Sequence, residues 1–465
     1  MTYKNNKFVV YGLGISGLST AKYLAQNNYN IIATDDNPLA LENFRQKISK
    51  NFSNIQILNP HQIIFDSQTI ISFSPGIPLH FPTTHKILDI CHKTQAKLKC
   101  DIAIFQDLNP QNNYIGITGT NGKSTTTALT GFIFDQLKIP SAIGGNIGLP
   151  CFDLPQNQVN FNYIFEVSSY QLDLIPDNKF NIACLTNITK DHLDRHGTFE
   201  NYQKAKERIF QNQTADDFAI INHDNIYCQK IYQNLIDKNH SAFLVNISTQ
   251  KILENGVSII NENIFVNLQN QKFKFTFNPF IKGQHNLENI ACSLAISVCY
   301  LIKNHQFSEI KIHEIIKIIE KFTGLKHRLQ NIRFHQNINF INDSKATNAE
   351  STENALKSYN NIFWILGGKA KEGGISILKP YFSKISKAYL IGESADDFAK
   401  FLQQNNVAFE ISKTLETAFK SAYQDALKVN YSIQNIILSP ACASFDQWKN
   451  FEERGDFFCK LVNEI

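Results

Sequence analysis

The sequence contains no long apolar run, no paired cysteine motif and no cluster of basic residues. No segment approaches the roughly 18 consecutive apolar residues that cross a bilayer, so no membrane span is expected. The nine cysteines are odd in number and scattered, without a C-x-x-C pair, which is typical of reduced thiols and argues against a disulfide framework. A strand-like run, KFVVYG, begins at Lys7, so no export signal is expected. These absences predict a cytoplasmic protein.

A strong excess of either charge is also missing. The 45 basic and 41 acidic residues leave a net charge of +4, and the basic residues form no run, so no nucleic-acid partner is predicted. A hydrophobic fraction of 43% and a charged fraction of 18% are typical of a globular protein and exclude disorder. A chain of 465 residues is too long for one ordinary core. We therefore expect three domains.

The first motif is a glycine turn between a strand and a helix. Gly12, Gly14 and Gly17 follow the apolar run and open a helical pattern, and Asp35 closes the next strand. This order matches the dinucleotide-binding fingerprint, in which glycines let the backbone approach a phosphate. A tight turn without any ligand would satisfy the same pattern. An NAD-dependent dehydrogenase is one alternative interpretation.

The second motif, TGTNGKST, lies between the apolar run YIGIT and the helical pattern TTTALTGFIFDQL. Free backbone N–H groups at such a helix start bind phosphate oxygens, and Lys123 and Ser124 are the residue types that neutralise the outer phosphates and bind Mg²⁺. Ile117 stands where the strict phosphate-loop pattern has glycine, so a shorter loop of related kind is predicted. A dehydrogenase needs no such loop, which weakens that alternative.

Two later strands place polar side chains at the same edge of the predicted sheet. Glu166 ends the run YIFEV, and IACLTN leads into His192. Burying a carboxylate is unfavourable unless a cation offsets its desolvation, so Glu166 is predicted to be a metal ligand. Open α/β sheets bind ligands at the carboxyl ends of their strands, so Lys123, Glu166 and His192 are expected to meet in one crevice. Capping or hydrogen-bonding roles are predicted for Asp191, Asp194 and His196.

Lys206 lies on the apolar side of the helix TFENYQKAKERIF. At about 100° per residue, Phe199, Tyr202, Ile209 and Phe210 share one face with it. A buried lysine loses proton affinity, and its neutral amine can react with CO₂ to form a carbamate. The pattern alone favours the commoner alternative, an ammonium that extends to solvent along its own methylenes.

The remaining patterns divide the chain. Residues 250–275 alternate apolar and polar, which predicts a small antiparallel insertion before the helix NLENIACSLAISVCYL. Strands follow near INFIND, IFWILGG, KAYLIG and NIILSPA, with the helix SADDFAKFLQQ between them. The expected fold class is α/β, with three successive domains over residues 1–101, 102–324 and 325–465.

Together the motifs resemble the Mur ligase family. The resemblance covers essentially the whole chain and rests on GLGISG, SPGI, TGTNGKST, GGNIG, EVSSYQLD, LTNITKDHLDRHG, KAKERIF, GQHNLENI, LKHRLQ, INDSKATN, LGGKAKEGG and SPACASFDQWKNFEERG. The blocks NDSKATN and SPACASFDQWKNFEERG are similar to those of the branch that adds D-glutamate. The resemblance implies an N-terminal Rossmann-like domain for a UDP-linked substrate, a central P-loop ATPase-type sheet and a C-terminal Rossmann-like domain for the amino acid.

The implied reaction is ATP-dependent ligation of D-glutamate to UDP-N-acetylmuramoyl-L-alanine (UDP-MurNAc-L-Ala) through an acyl phosphate, in peptidoglycan precursor synthesis. The implied cofactors are ATP, two Mg²⁺ ions and a carbamylated Lys206, in a monomer whose partners are small molecules. The alternatives are a ligase for another amino acid, a folate polyglutamylating ligase, a UDP-sugar or NAD oxidoreductase, and a silent nucleotide sensor. The chain lacks the DNPR block of relatives that add a diamino acid.

The resemblance also assigns site residues, and domain closure is expected to assemble them. The catalytic set is Lys123, His192 and Lys206. The metal set is Ser124, Glu166, His192 and Lys206 as carbamate. The ATP set is Gly119, Thr120, Asn121, Gly122, Lys123, Ser124, Thr125, Asn289, Arg328, Asp343 and Lys345. The set for the UDP substrate is Gly14, Ile15, Ser16, Asp35, Ser74, Pro75, Gly76 and Asn146. The D-glutamate set is Thr347, Lys371, Ser444 and Phe451, with Lys345 beside them.

Two positions depart from the family pattern. Many relatives carry Thr-Arg after the first-domain aspartate, whereas Asp36 and Asn37 follow here, so the arginine expected to contact the nucleotide is missing. The block KAKEGG is less regular than the usual form. Lys369 is therefore an alternative to Lys371 as the lysine that binds the amino acid.

Overall fold

A computed structural model describes residues 3, 6–48, 52, 54–146, 148–281, 283–370, 373–429 and 432–465. The chain divides into two compact units, Met1–Phe322 and Thr323–Ile465. The first unit contains two sheets and the second contains one. Three α/β sheets therefore follow one another along the chain, as the sequence predicts. The exact boundaries 1–101, 102–324 and 325–465 stay a prediction.

The first sheet has five parallel strands in the order β3-β2-β1-β4-β5. Its strands are β1 (Lys7–Tyr11), β2 (Asn30–Thr34), β3 (Ile55–Ile57), β4 (Thr69–Phe73) and β5 (Lys97–Lys99). The helices of this part of the chain are α1 (Ile15–Gln26), α2 (Pro38–Ile48), α3 (Lys86–Thr94) and α4 (Asp101–Leu108). The predicted order of strand, glycine turn and helix is confirmed.

Glycine is required where β1 turns into α1. Gly12 has φ +100°, in the left-handed region that side chains disfavour. A Cβ on Gly17 would lie 1.9 Å from the carbonyl oxygen of Gly12. The helix can therefore start close against the end of β1 only because both positions lack a side chain.

The central sheet has nine strands in the order β14-β13-β12-β11-β10-β9-β6-β8-β7. Its strands are β6 (Asn113–Thr118), β7 (Ser141–Gly145), β8 (Asn162–Glu166), β9 (Ile182–Leu185), β10 (Phe218–Asn222), β11 (Phe243–Ser248), β12 (Gly256–Ile260), β13 (Asn263–Leu268) and β14 (Gln271–Thr276). Its helices are α5 (Lys123–Gln136), α6 (Ser169–Leu172), α7 (Leu193–His196), α8 (Phe199–Glu207), α9 (Ile226–Asp237), α10 (Gln284–Lys303) and α11 (Glu309–Ile319).

The strands that carry the predicted site are the buried centre of this sheet. Strand β6 lies between β8 and β9, parallel to both, and nearly every residue of the three strands is buried. Their carboxyl ends, Thr118, Glu166 and Leu185, therefore lie side by side at one edge. The predicted convergence of three strand ends is confirmed.

The predicted antiparallel segment is confirmed, although it is not a separate sheet. Strand β13 pairs antiparallel with β12 and β14, whereas β12 pairs parallel with β11. The hairpins therefore extend the edge of the central sheet.

One apolar core joins the first two sheets. Phe8 of β1, Phe105 of α4 and Phe165 of β8 belong to the same buried cluster. The ring of Phe105 packs edge-on against Tyr163, with the centroids 4.8 Å apart. This shared core explains why the two sheets form one compact unit.

The second unit is built on six strands in the order β15-β16-β20-β17-β18-β19, parallel except for the β15–β16 pair. Its strands are β15 (Gln330–His335), β16 (Ile338–Asn342), β17 (Ile362–Gly367), β18 (Ile385–Ile391), β19 (Phe409–Lys413) and β20 (Gln434–Leu438). Its helices are α12 (Ala349–Ser358), α13 (Ala395–Gln404), α14 (Leu415–Leu427) and α15 (Phe451–Asn463). The four predicted strands are confirmed, and the sequence patterns did not predict β15 and β19 at the two edges.

Two further expectations concern the whole chain. All nine cysteines lie among the described residues and carry free thiols, as predicted. Within the described part of the chain, no helix combines the length and the apolar character needed to cross a bilayer.

Candidate active site

The loop between β6 and α5 has the backbone of an anion-binding turn. Gly119 and Gly122 have φ values of +153° and +83°, and α5 begins immediately afterwards at Lys123. A Cβ on Gly122 would lie 2.2 Å from Oδ1 of Asn289. Glycine is therefore needed both for the conformation and for the approach of Asn289. The N–H groups of the first helical turn offer several donors to a phosphate.

The end of β9 braces this loop from outside. The Thr120 N–H donates to the Asn187 carbonyl (2.9 Å), and the Asn121 N–H donates to Oδ1 of Asn187 (2.9 Å). The Thr186 hydroxyl donates to the Asn121 carbonyl at 2.6 Å. Sequence reasoning assigned Thr186 and Asn187 no role. Two polar residues directly after a buried strand were the only signal.

Lys123 and Lys206 converge on the same carbonyl. Nζ of Lys123 donates to the carbonyls of Gly119 (2.9 Å) and Thr120 (2.8 Å). Nζ of Lys206 donates to the Gly119 carbonyl (2.8 Å) and the Thr118 hydroxyl (3.4 Å). Two amino groups therefore lie at the mouth of the loop, where they can face anionic oxygens.

Lys206 is buried, which corrects the interpretation that the sequence pattern favoured. Only 2% of the residue is exposed, and Nζ lies 4.8 Å from the ring centroid of Tyr202. Burial and, secondarily, the charge of Lys123 hold the pKa of its amine well below the usual value. The side chain does not extend to solvent because the strand ends and Tyr202 enclose it. A neutral, nucleophilic amine is favoured here.

Glu166 supplies a buried carboxylate at the end of β8. The residue is 2% exposed, and Nδ2 of Asn146 donates to its Oε1 at 2.8 Å. Its Oε2 is buried and accepts no hydrogen bond from the described residues. A desolvated carboxylate oxygen without a donor is unfavourable unless a cation is its partner. This atom is the strongest sign that the site suits a metal ion.

His192 stands at the entrance to α7. Its φ of +53° is in the left-handed region, and Nε2 lies 3.5 Å from Oδ2 of Asp191. Partial desolvation lowers the pKa of the imidazole below its ordinary value; the Asp191 carboxylate opposes this shift, and the charges of Lys206 and Lys123 add to it. The ring is therefore neutral near pH 7, as a metal ligand or proton acceptor must be.

The described residues contain no group of three or more His, Cys, Asp or Glu side chains that could hold a metal ion. The predicted set of Ser124, Glu166, His192 and Lys206 has only two such residues. Ser124, in the first turn of α5, is 7% exposed. A cation here would therefore need further oxygens, either from a modified Lys206 or from a bound phosphate.

His196 and Asp191 have the hydrogen-bonding roles predicted for them. The imidazole Nε2 of His196 shares a hydrogen bond of 2.9 Å with the Ser169 hydroxyl, and its ring stacks on Tyr170 with 5.4 Å between centroids. Oδ1 of Asp191 accepts the N–H of His192 at 2.9 Å. Asp194 is an exposed residue in the first turn of α7.

The residues predicted for the UDP substrate, apart from Asn146 after β7 of the central sheet, lie at the strand ends of the first sheet. Asp35 accepts the N–H of Leu13 through Oδ2 (2.8 Å) and the N–H of Asn37 through Oδ1 (2.9 Å). Asp35 therefore fixes the glycine turn. Helix α1 begins in this turn, with Gly14 as its N-cap and Ile15 and Ser16 as its first residues. Ser74, Pro75 and Gly76 follow β4, and the Ser74 N–H donates to the Tyr11 carbonyl at 2.8 Å.

Asp36 is bonded by Tyr11 at the end of β1 and by His85 at the N-cap of α3. The Tyr11 hydroxyl donates to Oδ1 of Asp36 at 2.6 Å. Nε2 of His85 lies 3.1 Å from its Oδ2. The carboxylate is thus held at the edge of the glycine turn.

Arg195 and Tyr170 are site residues that sequence reasoning missed. NH1 and NH2 of Arg195 donate to the carbonyls of Gly76 (3.2 Å) and Pro75 (3.0 Å). The guanidinium carbon lies 4.3 Å from the ring centroid of Tyr170. The arginine in DHLDRH was visible, but a bond to backbone carbonyls far away in sequence leaves no pattern.

In the second unit, two pairs of predicted residues lie near each other: Arg328 with Asp343, and Lys345 with Phe451. Burial raises the pKa of Asp343 to about 7; its Oδ1 accepts the Leu329 N–H (3.1 Å) and its Oδ2 accepts the Ser439 hydroxyl (2.7 Å). Arg328 is near enough for its charge to act on this carboxyl. Nζ of Lys345 lies 5.7 Å from the ring centroid of Phe451.

Two loops of this unit are tied together beside Ser444, which is 2% exposed. The backbones of Lys369 and Ala443 exchange hydrogen bonds of 2.9 and 3.0 Å. The Thr347 N–H donates to the Lys345 carbonyl at 2.8 Å. Lys371 lies outside the described residues, so the choice between it and Lys369 stays a prediction.

Two family models match the chain. One describes the Mur ligase middle domain and covers residues 117–297. The other describes the N-terminal domain of MurD-like Mur ligases and covers residues 6–92. The matched ranges contain the central phosphate loop and the first glycine turn.

Named relatives align over the full chain. A UDP-N-acetylmuramoylalanine–D-glutamate ligase of Rickettsia bellii is 41% identical over 464 residues, which cover 100% of this chain and 98% of the relative. The ligase of the same name from Bartonella henselae is 35% identical, with 100% and 98% covered.

Solved structures share the fold at low sequence identity. MurF from Acinetobacter baumannii is 14% identical with a TM-score of 0.59, covering 98% of this chain and 93% of that one. UDP-N-acetylmuramate–alanine ligase MurC from Thermotoga maritima is 14% identical with a TM-score of 0.53, covering 99% of each.

The burial of His196 predicts a pH dependence of stability. Burial lowers the pKa of its imidazole to about 4, below the unfolded value near 6.5. The unfolded chain therefore binds the proton first, and stability on the order of 3 kcal/mol is lost as the pH falls from 6.5 to 4. Between pH 7 and 5, the melting temperature should fall more steeply in the wild type than in His196→Gln. The exposed His61→Gln variant should follow the wild type, and parallel curves for all three would refute the prediction.

Proposed function

The chain belongs to the Mur ligase family, and we propose that it joins D-glutamate to UDP-MurNAc-L-Ala, with ATP and Mg²⁺, in peptidoglycan precursor synthesis. Full-length similarity to D-glutamate ligases, at 41% identity for the Rickettsia bellii enzyme, supports the substrates. The observation that best supports metal-assisted chemistry is the buried Oε2 of Glu166. This oxygen accepts no hydrogen bond from the described residues.

The reaction needs an activated carboxylate. An amine does not displace an oxide ion from a carboxylate at neutral pH, so the alanine carboxylate first attacks the γ-phosphorus of ATP, which gives an acyl phosphate and releases ADP. The amine of D-glutamate then attacks the carbonyl carbon, and phosphate leaves. Little covalent chemistry is required of the protein, whose residues contribute positioning and electrostatic stabilisation.

Lys123 and the start of α5 are proposed to hold the phosphates. The Lys123 ammonium lies against the carbonyls of Gly119 and Thr120, in the loop proposed to bind the phosphates. Its charge would offset the negative charge that develops on the transferred phosphoryl group. Asn289, packed against Gly122, is proposed to contact the nucleotide, as are Arg328 and Asp343 of the second unit.

Ser124, Glu166, His192 and Lys206 are proposed to hold two Mg²⁺ ions, with Lys206 as a carbamate. The neutral amine favoured by burial of Lys206 would attack CO₂, form an N–C bond and release one proton. The product is a negative oxygen ligand next to Glu166. When bound, Mg²⁺ would neutralise charge on phosphate oxygens. The neutral imidazole of His192 suits either a metal ligand or an acceptor for a proton from the amine.

The two other substrates are assigned to opposite parts of the chain. Gly14, Ile15, Ser16, Asp35, the Ser74–Gly76 loop and Asn146 are proposed for the UDP substrate. Asn146 donates to Glu166, which would bring the reacting carboxylate close to the metal ligands. Lys345, Thr347, Lys371, Ser444 and Phe451 are proposed for D-glutamate, since cations suit a dicarboxylate. We also propose a cytoplasmic monomer.

Phosphate release tests the proposed reaction. Purified protein with ATP, Mg²⁺ and UDP-MurNAc-L-Ala should release phosphate when D-glutamate is added, at least about 100-fold faster than with L-glutamate or meso-diaminopimelate, because a fixed dicarboxylate site rejects the wrong configuration. A preference for meso-diaminopimelate would assign the chain to another ligase of the family. No release with any amino acid would reject the ligase function.

Lys206→Ala tests the carbamate. The rate should fall at least about 1000-fold, because the variant lacks the proposed metal ligand. Lys206→Arg is the matched control, since it keeps a positive charge but cannot form this carbamate, and it should be equally inactive. Wild-type protein in ¹³C-bicarbonate should show a carbamate signal by NMR that both variants lack. An unchanged rate in Lys206→Ala would remove the carbamate from the mechanism.

A further inference from the structure

Arg195 connects the candidate substrate loop of the first sheet to the helix that begins after His192. Its two terminal nitrogens donate to successive carbonyls, those of Pro75 and Gly76. The planar guanidinium offers its donors in a fixed fork, so both bonds form only in one conformation of this loop. The position of the Arg195 guanidinium therefore depends on the conformation of residues 74–76.

The backbone and the ring contacts of Arg195 connect it to His192, which is a candidate metal ligand. The N–H groups of Arg195 and His196 both donate to the His192 carbonyl, each at 3.1 Å. The guanidinium lies over the Tyr170 ring at 4.3 Å. The same ring is 5.2 Å from the imidazole of His192 and 5.4 Å from that of His196. A shift of Arg195 would therefore disturb the backbone turn and the ring packing that orient His192.

We infer that Arg195 is a positioning residue that couples occupancy of the Ser74–Gly76 loop to the nucleotide side of the site. A ligand that orders this loop fixes the two carbonyls, which fix Arg195 and hence the turn at His192. Binding of the UDP substrate and of Mg²⁺–nucleotide would then be mutually favourable, because each ligand orders part of one connected structure. The inference rests on the proposed function, since it takes the two ligands from it.

Calorimetric titration tests the coupling without turnover. The probe is the β,γ-imido analogue of ATP with Mg²⁺, titrated into the full chain with and without saturating UDP-MurNAc-L-Ala. In the wild type, the UDP substrate should lower the Kd of the analogue at least about fivefold, the lower end of typical coupling between sites. In Arg195→Ala the ratio should fall to about one, while the analogue still binds without UDP substrate, more weakly than in the wild type because Arg195 supports the turn at His192.

Two further variants complete the test. Arg195→Lys keeps the positive charge but lacks the paired donors of the guanidinium, so its Kd ratio should lie below that of the wild type. This variant also tests the inference if Arg195→Ala does not fold. Arg45→Ala removes an exposed arginine that pairs only with Glu42 on α2 among the described residues, and its ratio should equal that of the wild type.

The possible failures are distinguishable. A wild-type ratio retained in Arg195→Ala would overturn the inference. So would loss of analogue binding by that variant in the absence of UDP substrate, because Arg195 would then serve the nucleotide directly. If the wild type binds both ligands independently, only the inference fails. If it binds neither ligand, the proposed function itself fails.

Discussion

The structure depends on keeping a carboxylate and an amine out of water at adjacent strand ends. Glu166 and Lys206 are each 2% exposed, and isolated charges in such surroundings are strongly unfavourable. The amine can shed its charge by losing a proton. The carboxylate has Asn146 for one oxygen and no donor among the described residues for the other. The proposed cation at this edge would resolve the imbalance, and the phosphates of the proposed nucleotide would supply the remaining oxygens.

The surrounding elements can be understood as the means of holding these two groups. Parallel pairing of β8, β6 and β9 brings their ends to one edge. Thr186 and Asn187 hold the phosphate loop against that edge. Lys206, on α8, donates to the Gly119 carbonyl of the same loop. An oxidoreductase using only the first glycine turn would leave this construction without a purpose. Among the described residues, the second glycine turn is bonded by the amines of Lys123 and Lys206, whereas the first is bonded by the carboxylate of Asp35.

Local patterns were enough to predict the strands that lead into the candidate site, the glycine turns and the meeting of strand ends, because burial and backbone conformation act on neighbouring residues. They failed where the decisive partner is distant in sequence. The pattern of α8 placed Lys206 on an apolar face with Tyr202 but favoured an ammonium that reaches solvent, because the hydrogen bonds that hold its amine to Thr118 and Gly119 span 88 and 87 positions. The bonds of Arg195 to residues 75 and 76 span about 120 positions. Edge strand β19 was missed because its residues are partly exposed and do not alternate clearly.

The most direct test is the affinity for Mn²⁺, as a paramagnetic replacement for Mg²⁺, in Glu166→Gln. The amide keeps the shape of the side chain and an acceptor for Asn146, but it removes the negative charge from the oxygen that lacks a donor. Titration followed by electron paramagnetic resonance, with the β,γ-imido ATP analogue present, should show affinity at least about tenfold weaker than in the wild type, or about 1.4 kcal/mol. Equal affinity in the two proteins would contradict a cation at Glu166.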